Sequence, residues 1–389
     1  MKLSKGMSRL GTETAFEVLA RAQALEAQGR DIVHLEIGEP DFDTPKHIRR
    51  AAADAMEEGY THYCNAQGTD ALRGEIAREV SGTRGVSIDP ARVGVTPGAK
   101  PIMFYSMLAL LEEGDEAIYP DPGFPIYESM IRFTGARPVP VPLREELEFR
   151  LDVDELRSKV TPRTRLLILN SPQNPTGGVL EEGDIRSIAD IVLNSDMAVL
   201  SDEVYRCIIY EGAHHSIASL PDMLDRTVLL DGFSKTYAMT GWRLGYAVMP
   251  PHLVEPVVRL IVNSVSCTPA FTQRAGIEAL TGPQDAVATM VAEFRERRDL
   301  IVDGLNEIPG ISCLRPKGAF YVFPNVKKLG MDCRQLADYL LETAGVATLS
   351  GTAFGKHGEG YLRLSYATST ENLRKALDRI QAAVAGLPV

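Results

Sequence analysis

Six short, mostly apolar runs recur along the first two-thirds of the chain, at 92–96, 116–119, 165–169, 197–200, 227–231 and 243–248. Between them lie stretches of helical spacing, such as 100–111, the segment from Pro125 and 181–193. This alternation constrains the fold more than any other feature. It predicts an α/β domain around a largely parallel sheet, with ligands collected at the carboxyl ends of the strands.

The two flanks read differently. Helical spacing over 14–28 stops at Gly29, and a short strand over 32–37 runs into the loop Gly38-Glu-Pro-Asp-Phe-Asp-Thr-Pro. Beyond about Pro283 the order becomes a long charged helix over 287–305, strands over 311–314 and 320–323, a helix over 333–344 and a strand over 361–365. The chain has 389 residues, more than one hydrophobic core usually serves. The expectation is a large domain over 45–283 and a smaller α+β domain built from 1–44 and 284–389.

Charge and cysteine content narrow the function classes. A net charge of −11 repels phosphodiester backbones and anionic lipid, so neither nucleic acid nor membrane is an expected partner. No apolar run approaches membrane-spanning length, and the first residues lack the apolar core of a secretory signal. The five cysteines are odd in number and none has C-x-x-C spacing, which points to a reducing cytoplasm rather than a disulfide framework or zinc site.

Four strand-to-loop junctions carry chemistry. In Asp231-Gly-Phe-Ser234-Lys235, a Ser-Lys pair follows an apolar strand, and Arg243 comes eight residues after the lysine. Desolvation and neighbouring cations lower a lysine pKa and free its amine as a nucleophile, while a serine hydroxyl and a guanidinium both bind phosphate. A surface loop with the same residues reads equally well from this segment alone. In Leu200-Ser201-Asp202-Glu203-Val204-Tyr205, a carboxylate ends an apolar strand. Buried there it needs a cationic or hydrogen-bonding partner, although an Asp opening a helix has the same appearance. The Pro- and Asn-rich run from Asn170 to Gly177 aims the Asn174 amide, and its Asn174–Pro175 peptide is expected to be cis. Pro97-Gly98-Ala99-Lys100 precedes a helix, where free N–H groups attract anions. Phe124 is placed to stack on a flat ring and Arg363 to grip a carboxylate, though a core aromatic and an outward strand arginine are the plainer readings.

Taken together and in order, Gly38-Glu-Pro-Asp-Phe, Tyr63, Gly98-Ala-Lys, Asn174-Pro-Thr-Gly, Ser201-Asp-Glu-Val-Tyr, Ser234-Lys, Gly241-Trp-Arg and Arg363-Leu-Ser-Tyr resemble the class I/II aminotransferases. These are fold-type I enzymes dependent on pyridoxal 5′-phosphate, and the likeness spans nearly the whole chain. The resemblance implies a Schiff base on Lys235, which would also move the proton during transamination. It implies Asp202 at the pyridine nitrogen, Tyr205 and Asn174 at the phenolic oxygen, and Phe124 on the ring face. Gly98, Ala99, Lys100, Ser234 and Arg243 would hold the phosphate, with Tyr63 reaching the cofactor of a neighbouring subunit in a homodimer. Arg363, Gly38 and Asn174 would bind the substrate carboxylate. An amino acid would leave its amine on the cofactor and a 2-oxo acid would collect it.

The segment Tyr63-Cys64-Asn65-Ala66-Gln67-Gly68 departs from the Pro-rich run of bacterial aspartate aminotransferases, while Lys100 matches a lysine that meets a distal carboxylate in some of them and slightly favours an aspartate/glutamate-type substrate. A β-lyase on the same scaffold ranks second. A non-enzymatic ligand-sensing regulator ranks last, because only about forty residues precede the Gly38 loop. Gly351-Thr-Ala-Phe-Gly355-Lys356 has the wrong spacing for a P-loop, and His214-His215 is expected to be an exposed loop rather than a metal site.

Overall fold

A computed structural model of the chain describes residues 1–387. Among them are twelve strands: β1 (Val33–His34), β2 (Val93–Thr96), β3 (Glu116–Asp121), β4 (Arg137–Pro142), β5 (Thr164–Asn170), β6 (Ala198–Asp202), β7 (Thr227–Gly232), β8 (Gly245–Val248), β9 (Tyr321–Val322), β10 (Val346–Ala347), β11 (Leu349–Ser350) and β12 (Leu362–Ser365). The helices are α1 (Thr14–Glu26), α2 (Lys46–Glu57), α3 (Asp70–Arg84), α4 (Lys100–Leu110), α5 (Ile126–Thr134), α6 (Val153–Lys159), α7 (Glu182–Leu193), α8 (Phe233–Thr236), α9 (Pro251–Ser264), α10 (Ala270–Thr281), α11 (Asp285–Asn306), α12 (Cys333–Tyr339) and α13 (Thr370–Ala385).

Seven strands form one sheet in the order β2-β8-β7-β6-β5-β3-β4. Every neighbouring pair is parallel except the two made by β8. Helices cover both faces, which is why β2, β3 and β7 are buried along their whole length and read as apolar runs rather than alternating ones. The α/β architecture with a mostly parallel sheet is therefore the one the strand–helix alternation implies. Parallel pairing also brings the carboxyl ends of β5, β6 and β7 side by side, so Asn170, Asp202 and Gly232 end on one edge.

A second, antiparallel sheet runs β11-β12-β9, and β1 pairs in parallel with β10. The N–H of Ser365, at the end of β12, donates to the carbonyl of Leu35 at 2.8 Å. The N-terminal loop at Gly38 thereby lies against the strand that carries Arg363.

Several sequence expectations change here. The strand over 311–314 is absent: Ser312 makes one isolated bridge, to Asn325. The strand over 32–37 shrinks to β1, and the helix over 333–344 ends at Tyr339 and loosens into a π turn over Leu340–Ala344. The strand over 243–248 begins only at Gly245, because Arg243 adopts a positive φ of 53°. β4, with Pro138, Pro140 and Pro142, escapes a propensity reading because proline lacks the ladder donor. It sits at the sheet edge, and prolines at alternate positions leave the missing N–H groups on one side of the strand. Helix α3, also unanticipated, is bounded as helices should be. Thr69 accepts from the Leu72 N–H, and Gly85 closes it at φ 67°. Its last residue, Arg84, is buried.

Candidate active site

The strand ends and the Gly38 loop enclose a cavity of about 570 Å³. Gly38, Ala99, Lys100, Phe124, Asn174, Asp202, Tyr205, Ser234, Lys235, Arg243 and Arg363 all line it. Residues from the N-terminal segment, the large sheet and β12 thus meet in one place.

At its floor, α8 turns Lys235 into the cavity one residue after Ser234. The Lys235 amine donates to the Gly38 carbonyl at 2.5 Å and stands 5.8 Å from the centre of the Phe320 ring. Burial lowers its pKa to about 8, helped by the positive charges of Arg363, Arg243 and Lys100 and opposed by Glu39. A lysine so tuned carries free amine near neutral pH.

Asp202 closes β6 and is 3 % exposed. The Tyr127 hydroxyl donates to its Oδ2 at 2.6 Å, and the Val204 N–H to Oδ1 at 3.3 Å. Burial pushes its pKa up to about 7, although both hydrogen bonds work the other way. A turn rather than a helix follows, so Asp202 is not a helix cap. Tyr205 is buried beside it, its hydroxyl 2.7 Å from that of Tyr321.

Arg363 is buried on β12, its guanidinium stacked 4.7 Å from the Tyr321 ring and 5.1 Å from that of Phe354. One terminal nitrogen donates to the Glu36 carbonyl, while Nε has no partner. Asn174 is also buried; its N–H is held by Asn170 Oδ1 at 2.9 Å, its Oδ1 lacks a partner, and its peptide to Pro175 is cis. Unpaired buried polar atoms are costly, and here they face a cavity a ligand can enter. Gly38 presents its carbonyl, not its N–H, to Lys235, and a Cβ at this position would lie 2.2 Å from the Tyr321 hydroxyl oxygen.

The opposite end is suited to an anion. Gly98 has φ 90°, and a Cβ there would fall 2.1 Å from an Arg243 nitrogen. Helix α4 then starts at Lys100 with no side chain capping it; Pro101 has no N–H and the Ile102 N–H donates to the Ala99 carbonyl at 3.1 Å, which leaves the backbone N–H groups of Ala99 and Lys100 for an anion. Arg243 donates to the Thr240 carbonyl at 2.7 Å, which orients the guanidinium over Gly98. The Lys100 side chain points away from that anion end. Its amine pairs with Glu13 and lies 5.9 Å from the Phe16 ring and 5.5 Å from that of Phe124, so what this residue can offer a phosphate is its backbone N–H.

Pyridoxal phosphate fits this donor set. The glycine cradle beneath Arg243 accepts a phosphate, the Asp202 carboxylate has capacity for a cationic N–H, and the cavity wall holds an amine that can meet an aldehyde. Gly98 lies behind Ala99 rather than in the cavity lining, and two other residues named from the sequence stand apart from it. Tyr63 does not line it and is 89 % exposed. His214 is no exposed loop: it is half-buried, with Nε2 2.9 Å from Glu203 Oε2. Tyr127, Tyr321 and Glu13 are what sequence reasoning missed. Tyr127 stands in the same loop-to-helix segment as Phe124, but nothing in spacing ties it to a carboxylate 75 residues away.

Residues 30–380 match the family model described as aminotransferase class I and II. An aromatic-amino-acid aminotransferase of Thermococcus litoralis is 40 % identical over 98 % of both chains. An aspartate aminotransferase of Pyrococcus abyssi is 43 % identical over 90 % of this chain and 91 % of its own. The crystal structure of the aspartate aminotransferase from Rhizobium meliloti superimposes with a TM-score of 0.95 at 36 % identity, covering 100 % of both chains.

Proposed function

The chain belongs to the class I and II aminotransferases, and on that premise we propose that its cavity binds pyridoxal 5′-phosphate on Lys235 and moves an amino group from an L-amino acid to a 2-oxo acid. The observation that carries this reading is convergence: an amine lowered to about 8, a carboxylate raised to about 7 and a buried guanidinium with an open nitrogen line one cavity.

The bound cofactor supplies a carbon that exchanges amino groups and a ring that accepts electron density from the substrate Cα. This chain's residues do the rest. Arg363 takes the α-carboxylate with its free donor, assisted by Asn174, and this fixes Cα over the Lys235 amine. The Lys235 amine removes the Cα proton and returns it as the sequence reverses, with a pKa close to the working pH. Asp202, held by Tyr127, stabilises positive charge on the ring nitrogen. Tyr205 and Asn174 serve the phenolic oxygen, Phe124 the ring face, and Ala99, Lys100, Ser234 and Arg243, with Gly98 beneath the Arg243 guanidinium, the phosphate.

We extend the reading to the whole molecule. The seven-stranded sheet draws on residues 93–248 and the small sheets on 33–34 and 321–365, which supports a large domain over 45–283 and a smaller one over 1–44 and 284–389. The outward Tyr63 supports a homodimer in which it completes a neighbour's phosphate site. The five free cysteines support a cytoplasmic setting.

The test is a half-reaction screen. The protein is loaded with pyridoxal phosphate, mixed with single amino acids, and its absorption followed. Conversion to the pyridoxamine form, restored by a 2-oxo acid, is expected. Release of pyruvate and ammonia without an acceptor, in place of that conversion, would move the assignment to β-elimination.

A further inference from the structure

The cavity contains four cations, Lys100, Lys235, Arg243 and Arg363, and three carboxylates, Glu13, Glu39 and Asp202. Under the function proposed above, Asp202 answers the ring nitrogen, Arg243 the phosphate and Arg363 the substrate α-carboxylate. Glu39 accepts a hydrogen bond from the Thr240 hydroxyl. The charges left for the substrate side chain are Lys100 and Glu13, and these two are paired with each other.

That pair has a particular setting. Lys100 is flanked by the Phe16 and Phe124 rings, so the wall around it is aromatic. The Glu13 side chain is 15 % exposed and that of Lys100 44 %. Glu13 acts electrostatically on Arg363 and Tyr321, which puts it in the substrate half of the cavity. It immediately precedes α1 in extended conformation and its side chain caps nothing there. Its carboxylate can therefore leave Lys100 without breaking a helix contact, and swung outward it stays near the positive end of the α1 dipole.

We propose that Glu13 is an exchangeable counter-ion for Lys100, and that the exchange lets one cavity take both neutral and dicarboxylic side chains. With a neutral or aromatic side chain the ion pair stays closed and the wall is uncharged. A dicarboxylic substrate displaces Glu13 and puts its own distal carboxylate on Lys100. A ping-pong enzyme must admit both its amino acid and its 2-oxo acid to the same cavity, so the exchange widens the set of partners it can couple.

The inference rests on the aminotransferase reading, and the experiment separates the two. Binding of non-reacting succinate and 3-phenylpropionate to the pyridoxal-phosphate-loaded protein is measured by calorimetry, beside half-reaction rates with aspartate and phenylalanine. Glu13→Gln removes the internal competitor and should tighten succinate about five- to tenfold, a factor in keeping with a partly exposed ion pair. It should weaken 3-phenylpropionate, because Lys100 is left unpaired beside an apolar ligand. Lys100→Gln should weaken succinate relative to 3-phenylpropionate, and adding Glu13→Gln to it should tighten succinate clearly less than Glu13→Gln does alone. An unchanged succinate-to-3-phenylpropionate ratio in Glu13→Gln, with half-reactions intact, overturns the exchange and leaves the function standing. Absence of a half-reaction with every amino acid in the unmodified enzyme overturns both.

Discussion

Asp202 and Glu203 are consecutive, both carboxylates and both buried, yet they sit in opposite worlds. Glu203 is fully provided for. Arg84 reaches its Oε2 with Nε at 3.1 Å and Nη2 at 2.9 Å, His214 joins at 2.9 Å, and Ser201 and Ser216 donate to Oε1. Burial alone would raise its pKa, but His214 and Arg84 outweigh burial and hold it far below the usual carboxylate range. Asp202 has one phenol and one backbone N–H, and burial wins. The lesson is that a satisfied buried charge belongs to the fold, and an under-satisfied one facing a cavity belongs to the chemistry.

The widest test of this contrast is Lys235→Ala. The fold should persist while transamination falls about 10⁴-fold, the upper range for losing a positioned acid–base group. Substantial turnover in steady-state assay would remove Lys235 from the centre of the site. Glu203→Gln should behave in the opposite way. It removes one of the two carboxylates that buried Arg84 hydrogen-bonds, leaving Asp231 at 3.2 Å, so unfolding by denaturant should show a loss of roughly 1.5–3 kcal/mol, with the folded fraction retaining most of its kcat. A large kcat defect at undiminished stability would erase the distinction between the two carboxylates.

Asp202→Asn should fold but lose about 10²-fold in kcat, comparable to removing one electrostatic stabiliser of the developing charge. Its signature is a pH dependence in the cofactor-free protein. The folded pKa is raised to about 7 from an ordinary 3.8. Between those values the folded state keeps a proton that the unfolded chain has released, so stability falls as pH rises through the window. The variant lacks that fall. Its advantage over the unmodified protein should grow from near zero at pH 4 to on the order of 4 kcal/mol above pH 7. Parallel stability curves from pH 4 to 8 would show that Asp202 is not held protonated. The smallest effect is expected for Tyr127→Phe, which removes one hydrogen bond to Asp202. It should shift the pH window upward and cost about 1 kcal/mol in the fully ionised range, read by the same titration.

Legibility in the sequence followed the range of the interaction. The parallel α/β sheet was readable because two-sided burial leaves continuous apolar runs, and Asp202 and Lys235 stood out because one ends such a run and the other follows one by three residues. Strand β4 was not, since its prolines are tolerated only by virtue of its place at the edge. His214 was misjudged for a related reason: two adjacent histidines look like a loop until Glu203 is found within reach.

By itself the sequence determined which residue types stand at which strand ends, and hence the kind of chemistry available. It could do so because strand, turn and phosphate cradle are set by neighbours in the chain. Only the tertiary structure decided which of these groups are left wanting a partner. Tyr127 on Asp202, Gly38 on Lys235, Arg84 on Glu203 and Glu13 on Lys100 join segments far apart in sequence. Burial and the identity of a charge's nearest partner, which fix its pKa and its freedom to react, exist only once those segments have packed together.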